Sequence, residues 1–538
     1  MKLKLISYLL ALTPVFSIIS AQPVQPSKFP QRNYSQQKDK QLKELKKDSQ
    51  ISFFKDSRKK LAADPYRPIY HLSSPDGIMH DPNGLCYWQG KWHLFYQFLP
   101  TKDSRQHWGH AVSDDLIHWQ DLPIALYPVP EEKVYSGATY VEKDKVIAMY
   151  YGLGFGDIVA TSSDPLLLNW KKIATPAIAL KSEDGKPLPY YVFDTAIWKE
   201  DETYYAVTGG GRIPNGPGGK MMRGNYLFSS KNLTDWKYMH EFMQNERFLM
   251  PGEDAACPYF WPIGDRHIFL FFSHITGGKY FLGDYDKEKH HFYPTTYGKF
   301  NFGPWGPGGV HAPSATPDGE GGVIMISNMT GGKTTPGWRG IMTLPRKLNL
   351  ISHDSISMIP AGDYKSLRKN YKALKNITLN ANQEIVFNNI SGNAFELQIE
   401  IDVKKSPLIV LNVLQSKDKK EYTSIKFFKD RGFDLRRLNP NLKGNESLIS
   451  LETAYSSILP DVKSRAPEIA PIILAENESL KLQVFVDKSV VEAFVNDRQA
   501  LAARVYPGLD DSIGISLESR GNDAELKQLD FWEMKSIY

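Results

Sequence analysis

Between residues 67 and about 348 the chain alternates short apolar and aromatic runs with clusters of Gly, Pro, Asn and Asp. The runs at residues 91–98, 134–140, 146–151, 203–208, 267–274 and 322–328 have the length of strands, and turn-forming residues close each one. Short strands at this spacing predict a sandwich, a barrel or a propeller. A weak repeat supports the last of these. Ser113-Asp114-Asp115-Leu116-Ile117-His118-Trp119 recurs around Ser230, Leu233 and Trp236, and Ser162 to Trp170 is a looser copy. After Asp354 the pattern changes to alternation of apolar and polar residues, at 394–403, 407–414, 424–428, 480–494, 513–518 and 529–533. Period two with one apolar face predicts an antiparallel β-sandwich. Ahead of both regions, residues 22–66 are polar. Leu42 and Leu45 give them weak helical spacing, so a disordered leader with one or two peripheral helices is expected.

The first residues change the picture of where the chain works. Met1-Lys2-Leu3-Lys4 is basic, residues 6–19 are mostly apolar, and Ser20-Ala21 is a small-residue cleavage site. This predicts an export signal over residues 1–21 and a secreted or periplasmic protein. The apolar run is short for a membrane span and contains Pro14, so no span is expected after cleavage. A chain of 538 residues predicts two domains. Its 65 basic and 60 acidic residues nearly cancel, and no basic stripe suggests nucleic acid. Cys86 and Cys257 are its two cysteines, too few for a disulfide scaffold, and are expected to be buried free thiols. Nothing in the sequence asks for a cofactor, and no His-rich cluster stands at metal-ligand spacing.

The chemistry starts at Met79-His80-Asp81-Pro82-Asn83-Gly84, which reads as a turn that aims the Asp81 carboxylate. Backbone N–H groups in such a turn keep a carboxylate ionised. This motif closely resembles the nucleophile motif of the β-fructosidases (invertases, inulinases and levanases), glycoside hydrolase family 32, which usually has Asn at the place of His80. Further landmarks follow in the family's order. Val192-Phe193-Asp194-Thr195 stands where the family shows Arg-Asp-Pro. Gly252-Glu253-Asp254-Ala255-Ala256-Cys257-Pro258 stands where it puts a Glu directly before Cys-Pro. Val484 to Asn496 is similar to the signature of its C-terminal sandwich.

The resemblance implies an all-β fold, a five-bladed β-propeller over residues 67–350 followed by a β-sandwich over 351–538. It also implies cleavage of β-fructofuranosyl linkages in a fructan or sucrose-type substrate. Asp81 would be the nucleophile and Asp194 the carboxylate that grips the fructose hydroxyls. The family's acid/base position is Ala256 here, so the proton is expected from Glu253, whose longer side chain reaches further than that of Asp254. His80, Asn83, Gln97, Trp108, Ser136, Phe193 and Asp254 would line the substrate. Retaining glycosidases place their two carboxyl groups about 5–5.5 Å apart. Three rivals follow from the same residues: a fructosyltransferase, a fructan-binding protein that has lost its acid, and another five-bladed furanosidase. In the sandwich signature, Asp487 and Glu492 read as structural.

Overall fold

The computed structural model describes residues 27–182, 184, 186, 188–209, 224–244, 248–250, 252–437 and 440–538. The expected export signal lies outside them. Among the described residues no helix is long and apolar enough to cross a membrane.

The described residues between 77 and 360 build four sheets. One is led by Gly77–Trp88, one by Ala256–Ile263 and one by Val310–Pro317. The largest sheet contains two antiparallel runs, led by Val134–Val141 and Thr195–Glu200, joined by one parallel pairing of Thr195 with Gly137. There are thus five antiparallel runs, and their five leading strands touch in a ring: each packs on the next, and the last on the first. Strands sandwiched between runs are apolar on both faces. In Arg266–Ser273, Ile268 through Phe272 are all fully buried, so the run is continuous rather than alternating.

The Ser-Leu-Trp repeat has a local cause. Ser113, Ser162 and Ser230 each end a strand, and each hydroxyl bonds the Asp or Asn two residues on. The Leu that follows takes positive φ in all three copies, at 70°, 51° and 69° for Leu116, Leu167 and Leu233. Trp170 and Trp236 then donate their indole N–H to the carbonyl of that Leu. The middle copy is looser because two extra residues separate Asp164 from Leu167.

Residues 27–37 were expected to be disordered and are not. Ser27 and Lys28 bond Asp103, Phe29 is buried, and the Tyr34 backbone N–H donates to Asn169. Their polar side chains and backbone are used as partners of the sheets, which composition does not reveal. Two helices follow, Lys38–Leu45 and Ser49–Leu61. Asp48 caps the second by accepting from the Gln50 and Ile51 N–H groups. Arg58 then anchors it to Asp121 through two hydrogen bonds, at 2.5 and 2.7 Å.

Beyond Pro360 two six-stranded sheets face each other across an apolar core of Leu, Ile, Val and Phe side chains. The sandwich grips the first region through two buried carboxylates. Asp487 accepts from the backbone N–H groups of Ile69, Tyr70 and His71 and bonds the His71 ring at 2.9 Å. Glu492 bonds the other ring nitrogen at 3.1 Å, the Leu344 N–H at 2.7 Å and Arg346 at 3.1 Å. Both carboxylates are spent on structure, as the sequence context suggested. Cys86 and Cys257 are both free and buried.

Candidate active site

The leading strands do not run evenly. Register shifts fall between Met79 and Pro82, Val134 and Gly137, Ala256 and Tyr259, and Val310 and Pro313. Each contains or borders a Pro or Gly: Pro82, Gly137, Pro258 and Pro313. Pro gives up a ladder hydrogen bond and is tolerated at such irregularities. Gly137 is needed because a Cβ there would lie 2.2 Å from the Met149 carbonyl oxygen. A bulge re-aims the side chain beside it. The residues re-aimed here are Asp81, Ser136, Cys257 and His311, and they converge. The Asp81 motif is therefore not the expected turn but an irregular stretch inside the strand Gly77–Trp88, with Gly84 at φ +50°.

Asp81 is held from several sides. Its Oδ2 accepts from Ser136 Oγ at 2.9 Å, and Gln97 Nε2 donates to that hydroxyl at 2.7 Å. Its Oδ1 pairs with His311 Nδ1 at 3.0 Å and meets Asn328 Nδ2 at 3.5 Å. Burial alone would raise its pKa. The charge and hydrogen bond of His311, with His80 and Ser136, outweigh burial and hold the carboxyl at about 2.

Asp194 stands beside it in the opposite state. The pairing of Thr195 with Gly137 brings Asp194 level with Ser136. Cys257 lies between the two carboxylates: its thiol is 3.3 Å from Asp194 Oδ2 and 3.9 Å from Asp81 Oδ2, and its backbone N–H donates to Asp194 at 3.0 Å. Burial, then the negative charge of Asp81, push the Asp194 carboxyl up to about 7 despite these bonds. One carboxyl is ionised and its neighbour holds a proton near neutrality, the division of labour that acid–base chemistry uses.

Several expected site residues do something else. Trp108 is fully buried, wedged between Phe95 and Tyr150, with its indole N–H on the Tyr135 carbonyl, so it is core and not pocket wall. Asn83 spends its amide on the Asp81 carbonyl and the Gly137 N–H, so it fixes backbone rather than substrate. Glu253 is the largest departure. Its carboxylate is buried against Lys279 at 2.6 Å and also accepts from the Thr276 hydroxyl and the Met250 N–H. A carboxylate so matched is committed to a buried ion pair rather than free to face a substrate. Asp254 bonds the backbone N–H and ring Nδ1 of His274. His80 flanks Asp81, and burial lowers its pKa. Phe193 packs against Ala256, Cys257 and Ala312 and lies 5.5 Å from the Tyr151 ring. The two positions where the motif departs from the family's charged residues, 193 and 256, are thus in one apolar cluster.

Sequence reasoning passed over His311, Asn328, Cys257 and His274 as site residues. The first and third had a signal. His311-Ala312-Pro313 and Cys257-Pro258 each put a polar residue just ahead of a Pro within a strand pattern, as Asp81-Pro82 does. Among the described residues no group of three His, Cys, Asp or Glu is placed to hold a metal ion.

The model of the glycosyl hydrolases family 32 N-terminal domain matches residues 71–360, and that of the family 32 C-terminal region matches 363–533. The chain belongs to glycoside hydrolase family 32. A sucrose-6-phosphate hydrolase of Zymomonas mobilis is 27% identical over 505 residues, covering 86% of this chain and 91% of its own. A levanase of Bacillus subtilis is 25% identical, covering 88% and 71%. Among solved structures, fructan 1-exohydrolase IIa of Cichorium intybus superposes with a TM-score of 0.75 at 20% identity, covering 88% of this chain and 98% of its own. The family 32 protein described here is accordingly a glycoside hydrolase, and its propeller and sandwich regions are those of the family fold.

Proposed function

We propose that this glycoside hydrolase cleaves β-fructofuranosidic bonds with retention, on a five-bladed propeller made by the five antiparallel runs, with Asp81 as nucleophile. The observation that carries the reading is the pair of unlike carboxyls, Asp81 at about 2 and Asp194 at about 7, on either side of Cys257. Asp81 attacks the anomeric carbon and forms a fructosyl ester, which water then hydrolyses. Asp194 faces the same sugar and, protonated, donates a hydrogen bond to a ring hydroxyl. Relatives named for sucrose-6-phosphate, levan and fructan hydrolysis support a fructosyl substrate. The test is an activity panel on sucrose, inulin and levan. Release of fructose supports the reading. Binding without turnover would make the chain the fructan-binding rival that the loss of Glu at 256 suggests, and oligosaccharides lengthened at high sucrose would make it a transferase.

The apolar cluster at Phe193 predicts specificity. Where the family presents a cation, this pocket presents an aromatic ring. One hydrogen bond to a charged group is worth about 1.5–3 kcal/mol. The fructose unit is bound more weakly for lack of it, and further sugar units supply the difference. Longer fructosides are therefore expected to have higher kcat/KM than sucrose, and a clear preference for sucrose would refute this. We further propose that residues 1–21 are removed on export. Mass spectrometry of the protein from its native host should find Gln22 first, and an intact Met1 end would count against it.

A further inference from the structure

The family's proton donor is missing at Ala256, and Glu253 is locked to Lys279. Cleavage of an unactivated fructoside still needs a proton on the departing oxygen. We propose that His274, oriented by Asp254, is the acid/base of this enzyme.

The register supports this. Ala256 pairs with Phe272 across the antiparallel strands Ala256–Ile263 and Arg266–Ser273. Paired residues share a face, and so do residues two apart along a strand. Asp254 and His274 are each two residues beyond that pair. Both lie just past the ends of the two strands, so the Asp254–His274 pair stands at the rim of the sheet directly beside the position of Ala256.

The local contacts fit the task. His274 Nδ1 bonds Asp254 Oδ2 at 2.5 Å and its backbone N–H bonds Oδ1 at 3.0 Å, so Asp254 fixes both ring and main chain. Nε2 has no protein partner among the described residues. The side chain is 43% exposed, whereas that of Asp254 is 4% exposed. The ring lies 5.5 Å from that of His311, which holds Asp81, and 6.1 Å from Trp305, whose indole is exposed beside both. An exposed indole offers the flat apolar face that a sugar ring packs on. The hydrogen bond to Asp254 raises the His274 pKa against the effect of partial burial, so the imidazolium persists to higher pH than usual. The charged and titratable groups around it are Asp254, Asp194, Asp81 and His311.

The reaction balances with these groups. Asp81 bonds to the anomeric carbon as the carbon–oxygen bond to the leaving group breaks. The freed electron pair takes the proton from His274 Nε2. In the second step water attacks the same carbon, its proton passes to Nε2, and the Asp81 carboxylate is released. His274 is the catalytic residue in this scheme and Asp254 a positioning residue.

The inference rests on the fructosidase reading, and the experiment separates the two. Wild type and His274→Ala are assayed on sucrose or inulin and on an aryl fructofuranoside whose nitrophenolate leaves without a proton. The expected loss is about 10²–10⁴-fold in kcat/KM on the natural substrate, with less than about tenfold on nitrophenolate release and recovery on adding imidazole. Asp254→Asn should move the alkaline limb of the pH profile to lower pH. His274→Gln replaces His274→Ala if the latter fails to fold. A wild type inert on both substrates overturns the fructosidase reading and this inference together. An active wild type with His274→Ala or His274→Gln equally active on inulin overturns only the inference. So does a leaving-group-dependent loss that follows Asp194→Asn instead.

Discussion

Asp81→Asn should give a folded protein with fructoside turnover reduced roughly 10⁴–10⁶-fold, the scale on which removing a covalent nucleophile acts in other hydrolases. The amide keeps the volume of the carboxylate and its oxygen can still accept from Ser136, while its NH2 takes the place of the oxygen that faced His311 and Asn328, a local change of partners that leaves the strand in place. What it lacks is the negative charge that His311 and Ser136 hold in place, and with it the ability to form an ester. A second effect follows from the neighbour. Asp194 is raised by burial and then by the charge of Asp81, so removing that charge lowers the Asp194 pKa. The variant should thus lose the nucleophile and also hold the proton on Asp194 less firmly. Turnover within tenfold of wild type from a folded variant, measured on a substrate that the wild type cleaves, would remove Asp81 from the mechanism.

The largest effect on stability is expected at the joint between the two regions. Asp487→Ala strips the acceptor from three backbone N–H groups and leaves the His71 ring with Glu492 alone. Breaking a buried ion pair by removing one partner costs about 3–5 kcal/mol, so a clear fall in melting temperature should appear in calorimetry. Activity per folded molecule at low temperature should survive, because neither residue touches the site. The joint also carries a pH signature. Burial alone would lower the His71 pKa, but hydrogen bonds and charge from Asp487 and Glu492 push it up to about 9, from an ordinary value of 6.5. Its contribution to stability is therefore complete below about pH 6.5 and is lost as pH rises through about 9. Glu492 is lowered from 4.5 by His71 and Arg346, which outweigh its burial, so its share is complete above pH 4.5 and is lost in acid. The joint should be tightest between these limits. An Asp487→Ala variant with unchanged melting temperature across pH 5–9 would show that the contacts contribute little.

What could be read from the sequence was local. Asp81 and its motif, Asp194, Gln97 and Ser136 lie in short stretches whose residues stay neighbours in space. The strand pattern and the Ser-Leu-Trp repeat are likewise local, as is the alternation after Asp354. Residues brought together from different strands were not legible. The reach of Glu253 looked right along the chain, yet Lys279 comes from the third strand beyond it and claims the carboxylate. Trp108 looked like a sugar platform because aromatic residues serve both purposes, and only packing between Phe95 and Tyr150 decides for core. Asn83 looked like a substrate ligand because the sequence cannot say that Gly137, on another strand, would use its oxygen. His311 carried only the weak signal of a polar residue ahead of Pro313, and His274, in the turn after Ser273, carried none.

The packing of Phe193 on the cluster that contains Ala256 has a historical consequence. A chain of this family that presented Arg at 193 and Glu at 256 could not be regained here by single steps. Glu at 256 alone would set a third carboxylate into a cluster that Cys257 already joins to Asp81 and Asp194, and Arg at 193 alone would remove the ring that packs on that cluster. Each change needs the other first, so the pair is entrenched. A double-mutant cycle at 193 and 256 should show the two reversions strongly non-additive, the double variant folding better than either single one, and additive effects would mean that the way back is open.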